Sequence, residues 1–231
     1  MFSIIIPTYN EAEQIAQTIS KTHAAKGRHE AEIIVVDGGS TDNTIAIARE
    51  CGATVLKSER KGRAAQMNKG ASEASHEILY FLHADSIPPY GFTTQILDAC
   101  NKGIKSGCFR LAFDRKHWFL NANAWFTRFN VNAVRFGDQS LFTTKSIFQK
   151  AGGFREDLLM MEDQEIIHRL KKYGKFIVMN DRVITSARKY SDNGVFRMQG
   201  IFYRIWAMYY LGYTQEEMLK THRRLIKQHK L

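Results

Sequence analysis

Residues 33 to 42 read Ile33-Ile-Val-Val-Asp-Gly-Gly-Ser-Thr-Asp42, an apolar run that ends on Asp37. The same pattern returns in the run Ile78 to Leu82, which leads through His83 to Asp85. Short continuous apolar runs bounded by turn residues are typical of strands buried on both faces, as in a parallel sheet. Ligands of open α/β sheets bind outside the carboxyl ends of the strands. The pattern therefore predicts that Asp37 and Asp85 converge on one cleft, where carboxylates can hold a hard divalent cation or hydrogen-bond a ribose.

The first hundred residues alternate between strand and helix patterns. Strands are predicted over 2–7, 32–37, 53–57 and 78–82, and helices over 11–25, 42–51, 63–74 and 92–101. This order predicts a parallel, doubly wound α/β sheet. Pro7-Thr-Tyr-Asn-Glu11 follows the first strand in place of the dinucleotide motif G-x-G-x-x-G, so a nicotinamide or flavin enzyme is disfavoured.

The second half of the chain has a less regular pattern. Strands are predicted over 107–113, 140–144, 175–179 and 182–185, and helices over 119–131, 162–173, 194–211 and 214–229. Asn180-Asp181 favours a turn between the last two strands, and Thr214 and Glu217 have the spacing of a capping box. We expect residues 1–190 to form one α/β domain, and residues 191–231 to form a helical extension that packs on it or lies at a membrane surface.

The positive charge of the chain is concentrated near its C-terminus. The net charge is +10, and the last 50 residues contain ten Lys or Arg against three Asp or Glu. This region favours an anionic partner, either membrane lipid or a phosphate-bearing substrate, although a solvated basic face explains it equally well. The sequence carries no helix-turn-helix, zinc-finger or aromatic RNA-binding motif, so nucleic acid is not expected as a partner.

Cysteine usage and the N-terminal sequence favour a cytoplasmic protein. The three cysteines show no metal-ligand spacing, so we expect reduced thiols and no zinc site. Met1 to Ile4 leads directly into a strand pattern, without the basic region or cleavage site of a signal peptide. No apolar run approaches the ~18 residues of a membrane-spanning helix. The basic C-terminal region leaves open that the protein lies at the inner face of the membrane.

Six short motifs follow one another in an order that resembles the family 2 glycosyltransferases. They are Pro7-Thr-Tyr-Asn-Glu11, Asp37-Gly-Gly-Ser-Thr-Asp42, Gly62-Arg63 with Asn68 and Gly70, His83-Ala-Asp85, Gly137-Asp-Gln139 and Glu162-Asp163. With Gly107-Cys-Phe-Arg-Leu111 and Thr185-Ser-Ala-Arg188, the chain looks like a small bacterial subgroup of short, single-domain members. The resemblance covers about the first 190 residues. It implies the GT-A fold and an inverting transfer of a sugar from a UDP- or GDP-linked donor to an unidentified hydroxyl acceptor, assisted by Mn²⁺ or Mg²⁺.

The resemblance assigns the nucleotide of the donor to the loop after the first strand. It implies that Tyr9 stacks on the base, while Thr8, Glu11 and Asp37 hydrogen-bond the base or ribose. Arg63 would face the diphosphate. Two local interpretations stay open, because Glu11 can simply begin a helix and Asp37 can cap a turn. The implied donor-binding set is Pro7, Thr8, Tyr9, Glu11, Asp37, Gly62, Arg63, Asn68, His83 and Asp85.

His83-Ala-Asp85 stands where the family carries the metal-binding motif Asp-x-Asp. The resemblance implies that Asp85 ligates the metal, and one carboxylate suffices because Mg²⁺ is usually held by one or two carboxylates with phosphate oxygens and water. Histidine replaces the first acid of the motif here. Imidazole suits Mn²⁺ better than Mg²⁺, so a His83 ligand stays open. A contact of His83 with sugar or phosphate, or packing under the loop, is favoured over it.

Glu162-Asp163 precedes a predicted helix, where carboxylates also occur simply because they interact favourably with the helix dipole. The resemblance implies that Asp163 is the general base that deprotonates the acceptor, with Glu162 in support. Arg188 stands where processive synthases carry Gln-x-x-Arg-Trp, and it would contact the diphosphate. No spanning helix follows it, so we expect transfer of a single residue. The implied acceptor- or sugar-binding positions are Gly107, Asp138, Gln139 and Arg188.

Alternatives remain for the C-terminal region and for the activity. The aromatic segment around Trp206, followed by a basic segment, is typical of a membrane-interface helix, but packing on the core or a homodimer contact explains it as well. The rival activity is a sugar-phosphate nucleotidyltransferase, which should carry a glycine-rich loop directly after the first strand. The other alternative is a nucleotide-sugar or anionic-lipid binding module without catalysis.

Overall fold

The computed structural model describes residues 1–132, 135 and 137–226. Its strands are β1 (Phe2–Thr8), β2 (Ala31–Asp37), β3 (Thr54–Lys57), β4 (Ile78–Phe81), β5 (Ser86–Ile87), β6 (Ser106–Phe113), β7 (Leu141–Thr144) and β8 (Phe176–Thr185). Its α-helices are α1 (Ile15–Ala25), α2 (Thr44–Glu50), α3 (Arg63–Glu73), α4 (Phe92–Asn101), α5 (Trp118–Phe126), α6 (Lys145–Lys150), α7 (Glu162–Leu170), α8 (Arg188–Asn193), α9 (Val195–Tyr210) and α10 (Gln215–Leu225). Short 3₁₀ turns cover Gly137–Gln139 and Lys171–Tyr173.

All eight strands form one sheet in the order β3-β2-β1-β4-β7-β6-β8-β5. Strands β1 to β4 pair in parallel, which confirms the prediction for the first half of the chain. Strand β7 runs antiparallel to both of its neighbours, β4 and β6. The sheet is therefore parallel in its first half and mixed beyond β4.

The central strands are buried on both faces, as their apolar runs predict. Every residue of β1 and β4 is buried. Alternate side chains serve two separate apolar clusters, with Ile4 and Ile6 in one and Ile5 in the other. Helix α3 lies close against β1 at Gly70, because a Cβ atom there would overlap the side chain of Ile5. Gly70 of the predicted motif therefore has a packing role, which fixes the start of α3 beside the strand ends.

Strand β8 corrects the prediction of two strands joined by a turn at Asn180-Asp181. Residues 176–179 and 182–185 both pair with β6, so the chain continues as one strand. Asn180 and Asp181 are extra residues at an irregularity opposite Phe109 and Arg110. Asn180 accepts a hydrogen bond from Arg110, and Asp181 accepts one from Gln95 of α4. Polar residues that favour a turn are thus used in a bulge.

Helices α1 and α2 begin later than predicted because the two preceding loops bind each other. The amide of Glu11 donates to the Thr44 hydroxyl, and the amide of Ala12 donates to the Asp42 carboxylate. The first helix therefore begins at Ile15 instead of Glu11, and the second at Thr44 instead of Asp42. The helix predicted over 119–131 also ends early, at Phe126, and the one predicted over 162–173 ends at Leu170 before a 3₁₀ turn.

The C-terminal helices form a third apolar cluster. Met198, Ile205 and Met218 pack there with Leu120 of α5 and with Met160. The predicted capping box of Thr214 and Glu217 is present at the start of α10. Helix α8, between β8 and α9, was not predicted. Residues 227–231, which include the predicted end of the last helix with Lys227 and Lys230, lie outside the described residues. Within the described part of the chain, no helix has the length and apolar character needed to span a membrane.

Candidate active site

His83 lies between two acids that are far from it in sequence. Its Nδ1 is 2.8 Å from Asp138 Oδ1, and its Nε2 is 4.0 Å from Asp163 Oδ2. Burial by itself lowers the pKa of His83, but the hydrogen bond to Asp138 and the charges of both acids outweigh it, so this pKa lies above its ordinary value. The same hydrogen bond, assisted by Lys189, lowers the pKa of Asp138 although burial opposes the shift. His83 thus ties the end of β4 to the 3₁₀ turn before β7.

Asp85 stands two residues further on, beside the start of α8. Strand β5 pairs with β8, and the amide of Ser186 donates to the Asp85 carbonyl at 3.1 Å. This pairing brings Lys189 close enough for its charge to stabilise the Asp85 carboxylate. Burial, the larger effect, and the negative charge of Asp138 nevertheless raise the pKa of Asp85. The carboxylates of Asp85 and Asp138 therefore concentrate negative charge at the carboxyl end of β4.

Glu162 and Asp163, the first two residues of α7, lie in different environments. Arg63 Nη2 lies 2.8 Å from Glu162 Oε1, and the Glu162 side chain is 1% exposed. Asp163 is 19% exposed and faces His83. The residue before them, Met161, has a φ of 69°, which is costly for a side chain with a Cβ atom and is typical of positions fixed for function. The geometry places Glu162 beneath the site and Asp163 at its surface.

Arg63 is the first residue of α3 and follows Gly62. Gly62 has a φ of 110°, a backbone conformation that is open to glycine and strained for other residues. The negative charge of Glu162 raises the pKa of Arg63 further, so its guanidinium stays charged. The turn at Gly62 therefore places a fixed positive charge at the same cleft.

One cavity of about 420 Å³ connects these groups. Its polar end is formed by Arg63, Asp85, Asp138, Asp163 and Lys189. Its remaining wall is mainly apolar and comes from β6, α5, α8, α9 and the segment before α7. The apolar and aromatic lining residues are Leu111, Phe113, Phe126, Met160, Met161, Tyr190, Phe202, Tyr203, Ile205 and Trp206. The predicted acids after β4 and at α7 thus meet in one cavity.

Asp37 is not among the residues that line this cavity, so its convergence with Asp85 on one cleft stays a prediction. It is 1% exposed, and its carboxylate accepts hydrogen bonds from the amides of Gly39 and Ser40. The local interpretation of Asp37 as a turn cap therefore has a direct counterpart in the structure. The loop that it holds stands beside Tyr9, whose side chain is 38% exposed at the end of β1.

Arg188, expected at the diphosphate, does not line the cavity. Arg188 extends to Glu11 at 2.9 Å and to Glu13 at 3.3 Å, across the cleft from its own helix. Lys189 lines the cavity instead. Successive residues of a helix are rotated by about 100°, so neighbouring side chains point in different directions. Lys189 is a site residue that the candidate set omitted, because α8 was not predicted.

Several other candidates of the sequence analysis have partners inside the protein. The Thr8 hydroxyl donates to the Val36 carbonyl, and Pro7 is buried within β1. Asn68 donates to the Phe154 carbonyl and accepts from the Phe154 amide, which anchors the segment after α6. These residues support the strand ends that surround the cavity.

Gly107 and Gln139 also lie within the packed structure. A Cβ atom on Gly107 would stand 2.6 Å from the ring of Phe142 and 2.7 Å from the Ile177 carbonyl oxygen, so this glycine allows close packing within the sheet. Gln139 is 1% exposed and donates to the Phe109 carbonyl. Of the acceptor candidates, Asp138 is the one that lines the cavity.

The described residues contain no group of three or more His, Cys, Asp or Glu side chains arranged to hold a metal ion. Asp85 supplies a carboxylate at the cavity, with Asp138 close enough to affect its charge. This donor set fits a hard cation that takes its other ligands from phosphate oxygens and water. His83 is engaged with Asp138 through Nδ1.

Comparison with known proteins relates this chain to glycosyltransferases. The model of the family "Glycosyl transferase family 2" matches residues 3–158. An uncharacterized glycosyltransferase, Rv1514c of Mycobacterium tuberculosis (strain ATCC 25618 / H37Rv), is 30% identical over 176 residues, which cover 72% of this chain and 67% of that protein. Dolichol-phosphate mannosyltransferase of Pyrococcus furiosus is 30% identical over 106 residues, 44% of this chain and 30% of that protein.

Solved structures share the fold at lower identity. The mannosyltransferase PcManGT from Pyrobaculum calidifontis, in complex with GDP-Man and Mn²⁺, superposes with a TM-score of 0.72 at 18% identity and covers 97% of this chain and 69% of its own. S. aureus TarS 1-349 in complex with UDP-GlcNAc gives a TM-score of 0.66 at 16% identity, over 97% of this chain and 71% of its own. The family match over most of the chain and the shared fold lead to one conclusion: the chain belongs to glycosyl transferase family 2 and is a glycosyltransferase of the GT-A fold.

Proposed function

We propose that the protein transfers a sugar from a UDP- or GDP-linked donor to the hydroxyl group of an acceptor, with inversion at the anomeric carbon. One observation carries the proposal. Asp163 lies partly exposed in the cavity, whereas its neighbour Glu162 is buried against Arg63. An acid that opens onto the cavity can come within hydrogen-bond reach of an acceptor hydroxyl, as a general base must.

Asp163 acts as the general base in this proposal. It takes the proton of the acceptor hydroxyl while that oxygen attacks the anomeric carbon from the side opposite the diphosphate. The new glycosidic bond forms as the bond to the diphosphate oxygen breaks, and the nucleoside diphosphate leaves with the electron pair. His83 Nε2 lies 4.0 Å from Asp163 Oδ2, and Arg63 lines the same cavity as Asp163.

The donor lies along the carboxyl ends of β1, β2 and β4. Tyr9 offers an exposed ring for the base, and the loop held by Asp37 borders the ribose position. Arg63 and Lys189 face the diphosphate from opposite elements, α3 and α8. The solved relatives with GDP-Man and with UDP-GlcNAc support a nucleotide-sugar donor for this chain as well.

Asp85 would hold Mn²⁺ or Mg²⁺ together with the diphosphate oxygens. Such a cation supplies charge neutralisation for the departing diphosphate. Asp85 suits this role because it is a carboxylate at the polar end of the cavity, near a second negative charge on Asp138. The Mn²⁺ in the PcManGT complex supports the same role here.

We also propose that the protein acts in the cytoplasm. An aromatic surface formed by α5 and α9 would then contact the inner face of the membrane. The exposed aromatic residues there are Trp118, Trp125, Phe126 and Phe196. Trp206, the residue that suggested membrane contact in the sequence, instead lines the cavity and packs on Tyr210. Arg128 stacks on Trp125, with its guanidinium carbon 4.4 Å from the ring centroid. Exposed aromatic and basic groups together are typical of surfaces that bind membrane interfaces. A homodimer contact is the alternative use of this surface.

The test is a panel of UDP- and GDP-linked sugars with Mn²⁺, scored first by the rise in melting temperature and then by release of the nucleoside diphosphate. We expect one or a few donors to stabilise the folded protein and to be turned over slowly with water as the acceptor. Stabilisation without release in the presence of any acceptor would support a binding module without catalysis. The absence of stabilisation by every donor would contradict the proposed activity.

A further inference from the structure

The cavity that contains Asp163 continues into a wall with a different chemical character. Phe202 and Trp206 lie one turn apart on α9 and face it together. Phe126 of α5 and Met160, before α7, complete the same wall. This apolar end is continuous with the catalytic acids, so a molecule whose hydroxyl reaches Asp163 can extend over these side chains.

The hydroxyl and amide groups of this wall are engaged within the protein, whereas the buried Trp206 Nε1 has no hydrogen-bond partner among the described residues. The Tyr190 hydroxyl donates to Gln199 Oε1 at 3.1 Å, and the Tyr203 hydroxyl donates to Asn123 Oδ1. The second polar group of Asn123, its Nδ2, donates to the Phe119 carbonyl.

Gln164 and Arg135 are engaged as well. Gln164 Nε2 donates to the Arg135 carbonyl at 2.7 Å, and Gln164 Oε1 accepts from the Tyr210 hydroxyl at 3.2 Å. The Arg135 guanidinium binds Asn130 and lies over the ring of Phe176. A polyhydroxylated molecule at this end would lose its hydrogen bonds to water and find few replacements, which is unfavourable.

We propose that this end of the cavity binds the apolar body of the acceptor, so the acceptor is an amphiphile: a hydroxyl group attached to an aromatic or aliphatic body. The inference rests on the proposed transferase function and names the acceptor class of that same site. The hydroxyl lies at Asp163, and the body packs against Phe126, Phe202 and Trp206. Phe126 and Tyr203 line the cavity and are also 49% and 50% exposed, so the apolar end reaches the surface. A body longer than the cavity can therefore project outward.

Two probes with the same hydroxyl groups test this inference, octyl β-glucoside below its micelle-forming concentration and methyl β-glucoside. Calorimetry on the protein saturated with nucleoside diphosphate and Mn²⁺ gives the affinity for each. We expect octyl β-glucoside to bind at least about tenfold more tightly, equivalent to ~1.4 kcal/mol. Equal affinities of the two glucosides would overturn the proposal.

Substitutions at the apolar end of the cavity test whether the octyl preference arises there. We expect Phe202→Ala and Trp206→Ala to remove the octyl preference and to leave the affinity for the nucleoside diphosphate unchanged. Tyr90→Ala, which removes an aromatic residue that is 80% exposed and outside the cavity lining, is the control and should keep the preference. An octyl preference that survived in both cavity variants would place the apolar body elsewhere and overturn the assignment.

A third arm distinguishes a soluble acceptor from a lipid-borne one. Dioleoylglycerol in phosphatidylcholine vesicles presents a hydroxyl on a membrane-bound apolar body. Turnover of octyl β-glucoside alone supports a soluble amphiphile, and turnover of dioleoylglycerol supports a lipid. If neither the octyl preference nor vesicle turnover were observed while nucleotide-sugar binding persisted, the acceptor class would be wrong and the transferase proposal would stand.

Discussion

The two ends of the cavity come from different kinds of sequence. The polar end is assembled from residues near strand ends and helix starts, such as Arg63, Asp85 and Asp163. The apolar end is assembled from side chains of β6, α5, α8, α9 and the segment before α7, which are separate in sequence. Strand ends and helix starts place polar groups at a cleft by their geometry alone, whereas the apolar wall depends on how the C-terminal helices pack. The contrast indicates that the polar residues for sugar transfer and the apolar residues that contact the acceptor can change independently of each other.

The largest effect should come from removing the base at the polar end. Asp163→Asn keeps the size of the side chain but removes its ability to accept the proton. We expect turnover to fall by ~10²–10⁴ while the donor still binds. Nucleoside diphosphate release and calorimetry with the same donor measure the two quantities. Asp157→Asn, at an exposed acid paired with Arg155, is the control and should behave as wild type. Unchanged turnover would move the base to Asp138 or Glu162.

Substitution of Asp163 should lower turnover, whereas substitution of Glu162 should affect the stability of the fold more than donor binding. Glu162→Gln removes the negative charge of a buried carboxylate and leaves Arg63, whose side chain is 37% exposed, without its charged partner. We expect the free energy of unfolding to fall by up to ~1 kcal/mol, because water solvates part of the unpaired guanidinium. Urea unfolding measures the change. Glu73→Gln breaks the exposed pair with Lys69 and should leave stability unchanged. A stability of Glu162→Gln equal to wild type would show that the pair has no supporting role.

Asp85 distinguishes metal-assisted donor binding from binding by basic groups alone. In the wild type, we expect EDTA to weaken UDP or GDP binding by at least about tenfold, equivalent to ~1.4 kcal/mol. Asp85→Ala should bind the nucleotide equally with and without EDTA, because Arg63 and Lys189 remain. Calorimetry under both conditions measures this difference, and Asp98→Ala on the exposed face of α4 is the control. EDTA-independent binding in the wild type would remove metal from the proposal.

The sequence predicted the polar end better than the apolar end for a physical reason. Strands β1, β2 and β4 have continuous apolar runs, and these runs end where the cleft residues begin. Asp37 shows the limit of the same rule, because a carboxylate at a strand end can also bind the amides of its own loop. Sequence pattern alone did not decide between these two uses.

The remaining differences between the sequence predictions and the structure come from tertiary packing. Lys189 was missed because the direction of a helical side chain depends on α8, whose six residues carry no clear periodic pattern. Phe126 and Met160 were missed because apolar residues within short apolar runs look like ordinary core positions. For the aromatic segment around Trp206, the sequence leaves membrane contact and packing on the core equally open, and the packing of α9 on α5 and α8 turns Trp206 inward.

The smallest effect concerns the surface where the apolar end opens. The basic C-terminal region and the exposed aromatic residues of α5 motivate reversible binding to anionic membranes, which would bring the cavity near a lipid-borne acceptor. Each Lys or Arg near such a surface contributes ~1 kcal/mol, and salt screens this attraction. We expect co-sedimentation with anionic vesicles but not with neutral ones, and less at high salt. Trp125→Ser and the double substitution Lys220→Glu/Arg224→Glu should each weaken the sedimentation, since these three residues are exposed.

These substitutions are preferable to deleting residues 214–231, because Met218 of α10 is fully buried and its loss would disturb the third apolar cluster. If the wild type did not sediment with anionic vesicles at low salt, the basic face would be an ordinary solvated surface, and a soluble acceptor would be favoured over a lipid-borne one.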